Sequence, residues 1–171
     1  SCTQCGQGEK SDAGSAKCTK CDAGEAGTPC ISCVTGQYRN SSMDSASCLL
    51  CPAGWSSETG STKCQACEAG KATYSDDVGK DCIDCEVGQY RKSNMEPTTC
   101  AHCPIGFSQE LKSQASCLPC IPGTFQNNTG EDSCQACPKN TKSSISKSTN
   151  CTQCGQGEKS DAGSAKCIKC D

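Results

Sequence analysis

The sequence predicts a small disulfide-rich fold: a tandem array of short irregular β-loop modules, drawn out into an elongated rod with no conventional hydrophobic core. Three observations predict it. Twenty-two of the 171 residues are cysteines, and every one belongs to a Cys-x-x-Cys pair. The eleven pairs begin at Cys2, Cys18, Cys30, Cys48, Cys64, Cys82, Cys100, Cys117, Cys134, Cys151 and Cys167, with starts 12 to 18 residues apart. Such fixed self-similarity marks a repeat architecture in which each unit contacts mainly its neighbours. Finally, Ile, Leu, Val and Phe together number only 15, far below the roughly 20% under which a chain is expected to stay disordered. Ordering a residue's backbone costs about 1–2 kcal/mol, so something covalent or coordinative must hold this chain.

Each part of the module follows from the residues after a pair. The third residue beyond it is Gly8, Gly24, Gly36, Gly54, Gly70, Gly88, Gly106, Gly123 and Gly157, with Asn140 the one exception. Glycine enters left-handed backbone without steric cost, and Asn is among the few others that tolerate it. The slot therefore predicts a positive φ. Five of the six aromatics come one or two residues later: Tyr38, Trp55, Tyr90, Phe107 and Phe125, with Tyr74 outside. A ring so placed covers the flank of a cystine and gives the module a miniature apolar contact. Polar clusters such as 12–15, 58–61 and 129–132 then supply the turn that leads back to the next cysteine.

Charge excludes several partners. Sixteen basic and nineteen acidic residues leave a net of −3, spread without a basic stripe for nucleic acid or a polybasic membrane patch. The apolar runs are too short for a transmembrane span, and no signal peptide or lipidation signal is visible. The sequence is accordingly read as a mature or internal segment of a larger chain.

The cysteines admit three chemistries. Two Cys-x-x-Cys pairs about 15–20 residues apart are the spacing of a four-cysteine zinc site. Eleven pairs, however, leave one over when taken two by two, and the near-constant spacing is unlike alternating zinc knuckles. Three Asn-x-Ser/Thr sequons, at Asn40, Asn127 and Asn150, belong to the oxidising compartment in which disulfides persist. Disulfides are preferred, and no metal or other cofactor is expected. A thioredoxin-like thiol needs a helix N-terminus to lower its pKa, and no helical pattern is present.

The units running from Cys51-Pro52-Ala53-Gly54-Trp55 to Cys64, and from Cys120 through Gly123 and Phe125 to Cys134, resemble the ephrin type-A/B receptor-like cysteine-rich repeat. They are similar also to the one-disulfide module that opens tumour-necrosis-factor-receptor cysteine-rich domains, and to repetitive cysteine-rich surface proteins of protists. The receptor pattern alternates this module with a two-disulfide one, whereas here a single type repeats. The resemblance implies that the second cysteine of one pair bonds the first of the next: Cys5–Cys18, Cys21–Cys30, Cys33–Cys48, Cys51–Cys64, Cys67–Cys82, Cys85–Cys100, Cys103–Cys117, Cys120–Cys134, Cys137–Cys151 and Cys154–Cys167. Cys2 and Cys170 are then left to pair outside this stretch. The residues alone leave open a crossed pairing, first to first and second to second.

A longer repeat overlies the modules. Residues 150–171 match residues 1–22 except for Asn150 in place of Ser1 and Ile168 in place of Thr19. Modules in between have diverged far more, although 36–43 and 88–95 share a Gly-Gln-Tyr-Arg start. The reading is one super-repeat of nine modules over 1–149 and the start of its next copy at 150–171, in a long tandem array; a duplicated end is the plainer alternative.

No catalytic residue is assigned. His102 is the sole histidine and sits inside a Cys-x-x-Cys pair, and no carboxylate pair, phosphate loop or serine elbow has a recognisable setting. Asp76, Asp77 and Asp81 lack the ordered spacing of a calcium loop. The Ser/Thr/Lys-rich stretch 141–149 leaves O-glycosylation open. Two functions remain: an extracellular, glycosylated, self-associating rod or filament, of a surface appendage or matrix, or a receptor or adhesin stalk that binds a protein.

Overall fold

The computed structural model describes residues 4–74 and 78–170. Among them there is no helix, and the regular structure is ten two-stranded antiparallel sheets in tandem. Each is a hairpin of two-residue strands, from Glu9–Lys10 paired with Thr19–Lys20 to Glu158–Lys159 paired with Ile168–Lys169. The first strand follows the glycine slot, and the second is the pair of residues inside the next Cys-x-x-Cys. Ten disulfides close the hairpins: Cys5–Cys18, Cys21–Cys30, Cys33–Cys48, Cys51–Cys64, Cys67–Cys82, Cys85–Cys100, Cys103–Cys117, Cys120–Cys134, Cys137–Cys151 and Cys154–Cys167. The modules are numbered 1 to 10 after these bridges.

A tight turn opens each module and explains the glycine. In module 3 the Gln37 N–H donates to the Val34 carbonyl at 3.0 Å, a four-residue turn whose third residue is Gly36. A turn with positive φ at that position takes glycine or asparagine, and all ten residues of the slot have it, from φ 63° at Asn140 to 90° at Gly123. The slot's carbonyl then accepts from the second cysteine of the next pair, as in Cys51 N–H to Gly36 at 2.8 Å and Cys137 N–H to Gly123 at 2.9 Å. A bridge over a loop of this length stabilises by roughly 3 kcal/mol in the chain-entropy model, whose mechanism is disputed.

The interior is inverted relative to an ordinary domain. The buried apolar residues among those described are eight cysteines, each the second of its pair, with Ala26 and Ala72. Beside them lie Arg39, Ser57, Thr73, Arg91, Gln109, Gln126, Ser143 and Ser160, all buried. Each is the third residue after a glycine slot. The five slot-register aromatics stand on first strands, where Tyr38, Tyr90, Phe107 and Phe125 are half-buried and Trp55 is exposed. The chain divides into two compact units, residues 1–68 with 72–83 and 96–99, and residues 69–71 with 84–95 and 100–171.

Candidate functional site: the repeating module junction

Within the second unit every junction from module 6 to module 10 is stitched by the same three main-chain hydrogen bonds. At the junction of modules 7 and 8 the Gly106 N–H donates to the Gln126 carbonyl (2.7 Å), the Gln109 N–H to Glu131 (3.2 Å), and the Gly130 N–H back to Cys103 (2.8 Å). The pattern recurs at the next junction as Gly123 to Ser143, Gln126 to Ser148 and Lys147 to Cys120. In the first unit, Gly36 to Ser57, Arg39 to Ser61 and Gly60 to Cys33 repeat it. Net contributions of about 0.5–1.5 kcal/mol per hydrogen bond make one junction comparable to one bridge.

The stitch explains the buried polar slot. At Arg39, Arg91, Gln109, Gln126 and Ser143 the residue's carbonyl accepts from the preceding module and its N–H donates to the following one, so the backbone is enclosed whatever the side chain. The side chain must then find partners in an interior made of peptide groups, and each one does. Arg39 donates from Nε to the Glu25 carbonyl, from one terminal nitrogen to Cys21 and Asp22, and from the other to Asn40 and Met43. The Gln126 amide donates to Ser133 and accepts from the Asn128 N–H, and Gln109 makes the same pair with Ser116 and Leu111. No buried side-chain polar atom among the described residues lacks a partner. A buried cation is tolerated when its donors are all hydrogen-bonded.

Modules also touch their second neighbours. A Cβ placed on Gly24, Gly36, Gly70, Gly88, Gly106 or Gly123 would lie within 3.0 Å of the carbonyl of Gly60, Gly79, Ser113, Gly130, Lys147 or Gly163 respectively. Each partner is the turn residue two modules further on, and each has a positive φ of its own, Ser113 at 61° and Lys147 at 64° included. The glycine slot therefore serves two ends: it permits the opening turn, and it leaves room for that approaching turn. Sequence reasoning found the first and missed the second, together with the buried polar slot. Two of the second slot's residues carry side chains, which hides it in the composition.

Surface charges add local ties. Lys10 pairs with Asp22 and Glu25, which raises the Lys10 pKa and holds the Asp22 carboxyl below its ordinary 3.8 through the hydrogen bond from Lys10. Asp84 is lowered by a hydrogen bond with Ser113 and, less, by Lys71. His102 pairs with Gln89 across a hairpin, and its ring lies against the Gly130 turn. Asp81 accepts from the Ser56 hydroxyl at 3.0 Å, while Asp76, Asp77 and Cys2 lie outside the described residues. No group of three or more His, Cys, Asp or Glu converges on a metal-sized site among the described residues, nor is any helix there long and apolar enough to cross a membrane.

Asn127 and Asn150 are exposed. Asn40 is half-buried, with its Oδ1 accepting from the Ser42 N–H (3.0 Å) and hydroxyl (2.7 Å). In the 141–149 stretch Ser143 and Ser148 are buried and hydrogen-bonded to each other, so the hydroxyls open to solvent there are the remaining ones. Cys170 is exposed with a free thiol.

A family model described as tyrosine-protein kinase ephrin type A/B receptor-like matches residues 72–111 and again 106–154. The modules before residue 72 share the bridge, glycine turn and hairpin of the matched ones. No curated protein matches the chain.

Proposed function

We propose that this chain, a tandem array of ephrin type A/B receptor-like cysteine-rich repeats, is a segment of a long extracellular structural glycoprotein that forms a rod or filament of a surface appendage or matrix. The observation that carries it is the near-identity of 1–22 and 150–171 beside modules that differ freely in between. A scaffold gains from equivalent contacts repeated at long intervals, whereas a single binding site does not. The junction chemistry supports this reading, because main-chain stitching lets side chains vary without loosening the array. Ten bridges fit an oxidising, extracellular or surface setting.

On this reading Cys170 bonds the first cysteine of a following pair. Its counterpart 149 residues earlier is Cys21, which is bridged to Cys30. Cys2 takes a cysteine of a preceding module in the same way. Asn40, Asn127 and Asn150 carry N-glycans, and the role is non-catalytic, with no cofactor. Negative-stain microscopy of the native material tests the reading: uniform polymers with a regular axial repeat are expected, and isolated flexible rods at all concentrations refute it. Glycosidase treatment with peptide mass spectrometry tests the three asparagines independently.

The family match favours a second reading, a receptor or adhesin stalk that presents or binds a protein partner. The same micrographs decide between the two, since that stalk is expected as separate rods.

A further inference from the structure

Every Ile, Leu and Val of the sequence, thirteen in all, is exposed, from 41% at Val87 to 67% at Ile145. Aliphatic exteriors of this kind mark association surfaces when the side chains gather in patches. At the pairs beginning Cys100 and Cys167 they stand singly, while Leu49 with Leu50 and Ile83 with Val87 share a junction. Only two junctions carry an aliphatic residue both before the second cysteine of a pair and directly after it: Ile31 with Val34, and Leu118 with Ile121. A surface recess lies at each of the two, about 210 Å³ beside Ile31 and Val34 and about 290 Å³ beside Leu118 and Ile121. Both fall below the roughly 300–1,000 Å³ of small-molecule sites, a size that suits an inserted side chain.

The two recesses are built from equivalent positions and differ in charge. The one at Leu118 and Ile121 is rimmed by Glu110 and Asp132, where the lining of the other holds no charged residue. Both carboxylates are exposed, and no ion pair to either is found among the described residues.

The same unit carries a matching projection. Ile145 tips the loop 141–149 between Lys142 and Lys147, and it is the most exposed aliphatic residue of the chain. Its carbonyl accepts from the hydroxyls of Ser143 (3.1 Å) and Ser148 (3.2 Å), both buried and bonded to each other at 2.5 Å. Lys147 is held by its N–H to the Cys120 carbonyl and lies 5.4 Å from the Phe107 ring centroid. The tip is thus fixed in place before any encounter, which removes much of the ordering cost of association.

We infer that the acidic recess at Leu118 and Ile121 receives the Ile145 loop of a second copy of this chain, with Lys142 and Lys147 meeting Glu110 and Asp132. The inference rests on the self-association proposed above and names its contact. Charge complementarity selects the partner: an apolar tip flanked by lysines fits an apolar recess flanked by carboxylates. Because tip and recess are different patches, the contact is heterologous and propagates rather than closing on a dimer.

Sedimentation velocity on the full oxidised chain tests it with two surface variants, Ile121→Asp and Ile145→Asp, whose folding is checked by thiol titration. Each is expected to weaken association roughly tenfold to a hundredfold, the equivalent of losing one buried aliphatic side chain. Mixed one to one, the two variants retain one intact tip and one intact recess, so pairs that stop at the dimer are expected. Wild-type association unchanged by either variant overturns this contact and leaves the filament reading standing. A wild-type chain that stays monomeric at every concentration overturns both.

Discussion

Gly123→Ala and Gly163→Ala form a matched pair that isolates the contact between second-neighbour modules. Both glycines have positive φ, 90° and 76°, so either alanine carries the roughly 1–2 kcal/mol left-handed penalty of an L-residue. At Gly163 that is all, because the nearest atom to a new Cβ is the Ala136 methyl at an ordinary 3.8 Å. At Gly123 the new Cβ falls on the Gly163 carbonyl, a backbone group that cannot swing aside. Overpacking of this kind costs typically about 1–3 kcal/mol more. Separation of the two also strains the Gly123 N–H bond to Ser143 (2.7 Å) and the Gly163 N–H bond to Cys137 (2.8 Å). A difference of about 2 kcal/mol between the variants is therefore expected. Repeat arrays need not unfold in one step, so a global midpoint is a poor readout. Amide hydrogen exchange at Gly123 and Gly163 is the direct one, and about 2 kcal/mol appears there as a roughly thirtyfold larger loss of protection in Gly123→Ala. Equal losses in the two variants would refute the second-neighbour packing.

Other consequences are as open to measurement. Arg39→Ala abandons five carbonyls in a closed interior, and a loss of about 3–5 kcal/mol is expected, read as local exchange in modules 2 and 3; Arg39→Lys should restore little, since a point ammonium does not reproduce the planar fork. Reductant should unfold the chain while a chelator leaves it intact, followed by circular dichroism; unfolding by chelator alone would contradict a bridge-held fold. Because the Asp22 carboxyl is lowered by Lys10, the stability it contributes is present above its unfolded value near 3.8 and is lost as pH falls through its lower folded value. Carbon NMR of Asp22 should thus show a midpoint under 3.8 that rises toward it in Lys10→Met, and a wild-type midpoint at or above that value counts against the ion pair.

Much of the module was legible because covalent and conformational demands fall on single residue types. A bridge needs cysteine and the opening turn needs glycine or asparagine, so Cys120, Gly123 and Asn140 stand out of the sequence unaided. The hairpin strands were legible only as the stretches between those marks. What was not legible depends on main-chain geometry, which tolerates many side chains. The buried polar slot holds Arg39, Ser57, Thr73 and Gln126, four residues with nothing in common except the capacity to hydrogen-bond peptide groups. The turn that meets the second-neighbour glycine holds Gly130 but also Lys147. Local spacing gave no hint that Ile145 would be tipped outward on a pair of buried serines. Its flanking Ser, Thr and Lys residues read only as a stretch open to O-glycosylation.

The reach of the glycine slot has a consequence for how such a chain matures as it is made. A bridge such as Cys120–Cys134 spans its own short loop and is ready to close once that loop has emerged. The turn that covers Gly123, by contrast, arrives with Gly163, about thirty residues after Cys134, which takes roughly 1.5–6 s at common rates of synthesis. The bridge of a module is thus free to close before its glycine is covered, and the newest two modules at the growing end stay uncovered whether or not they are yet crosslinked.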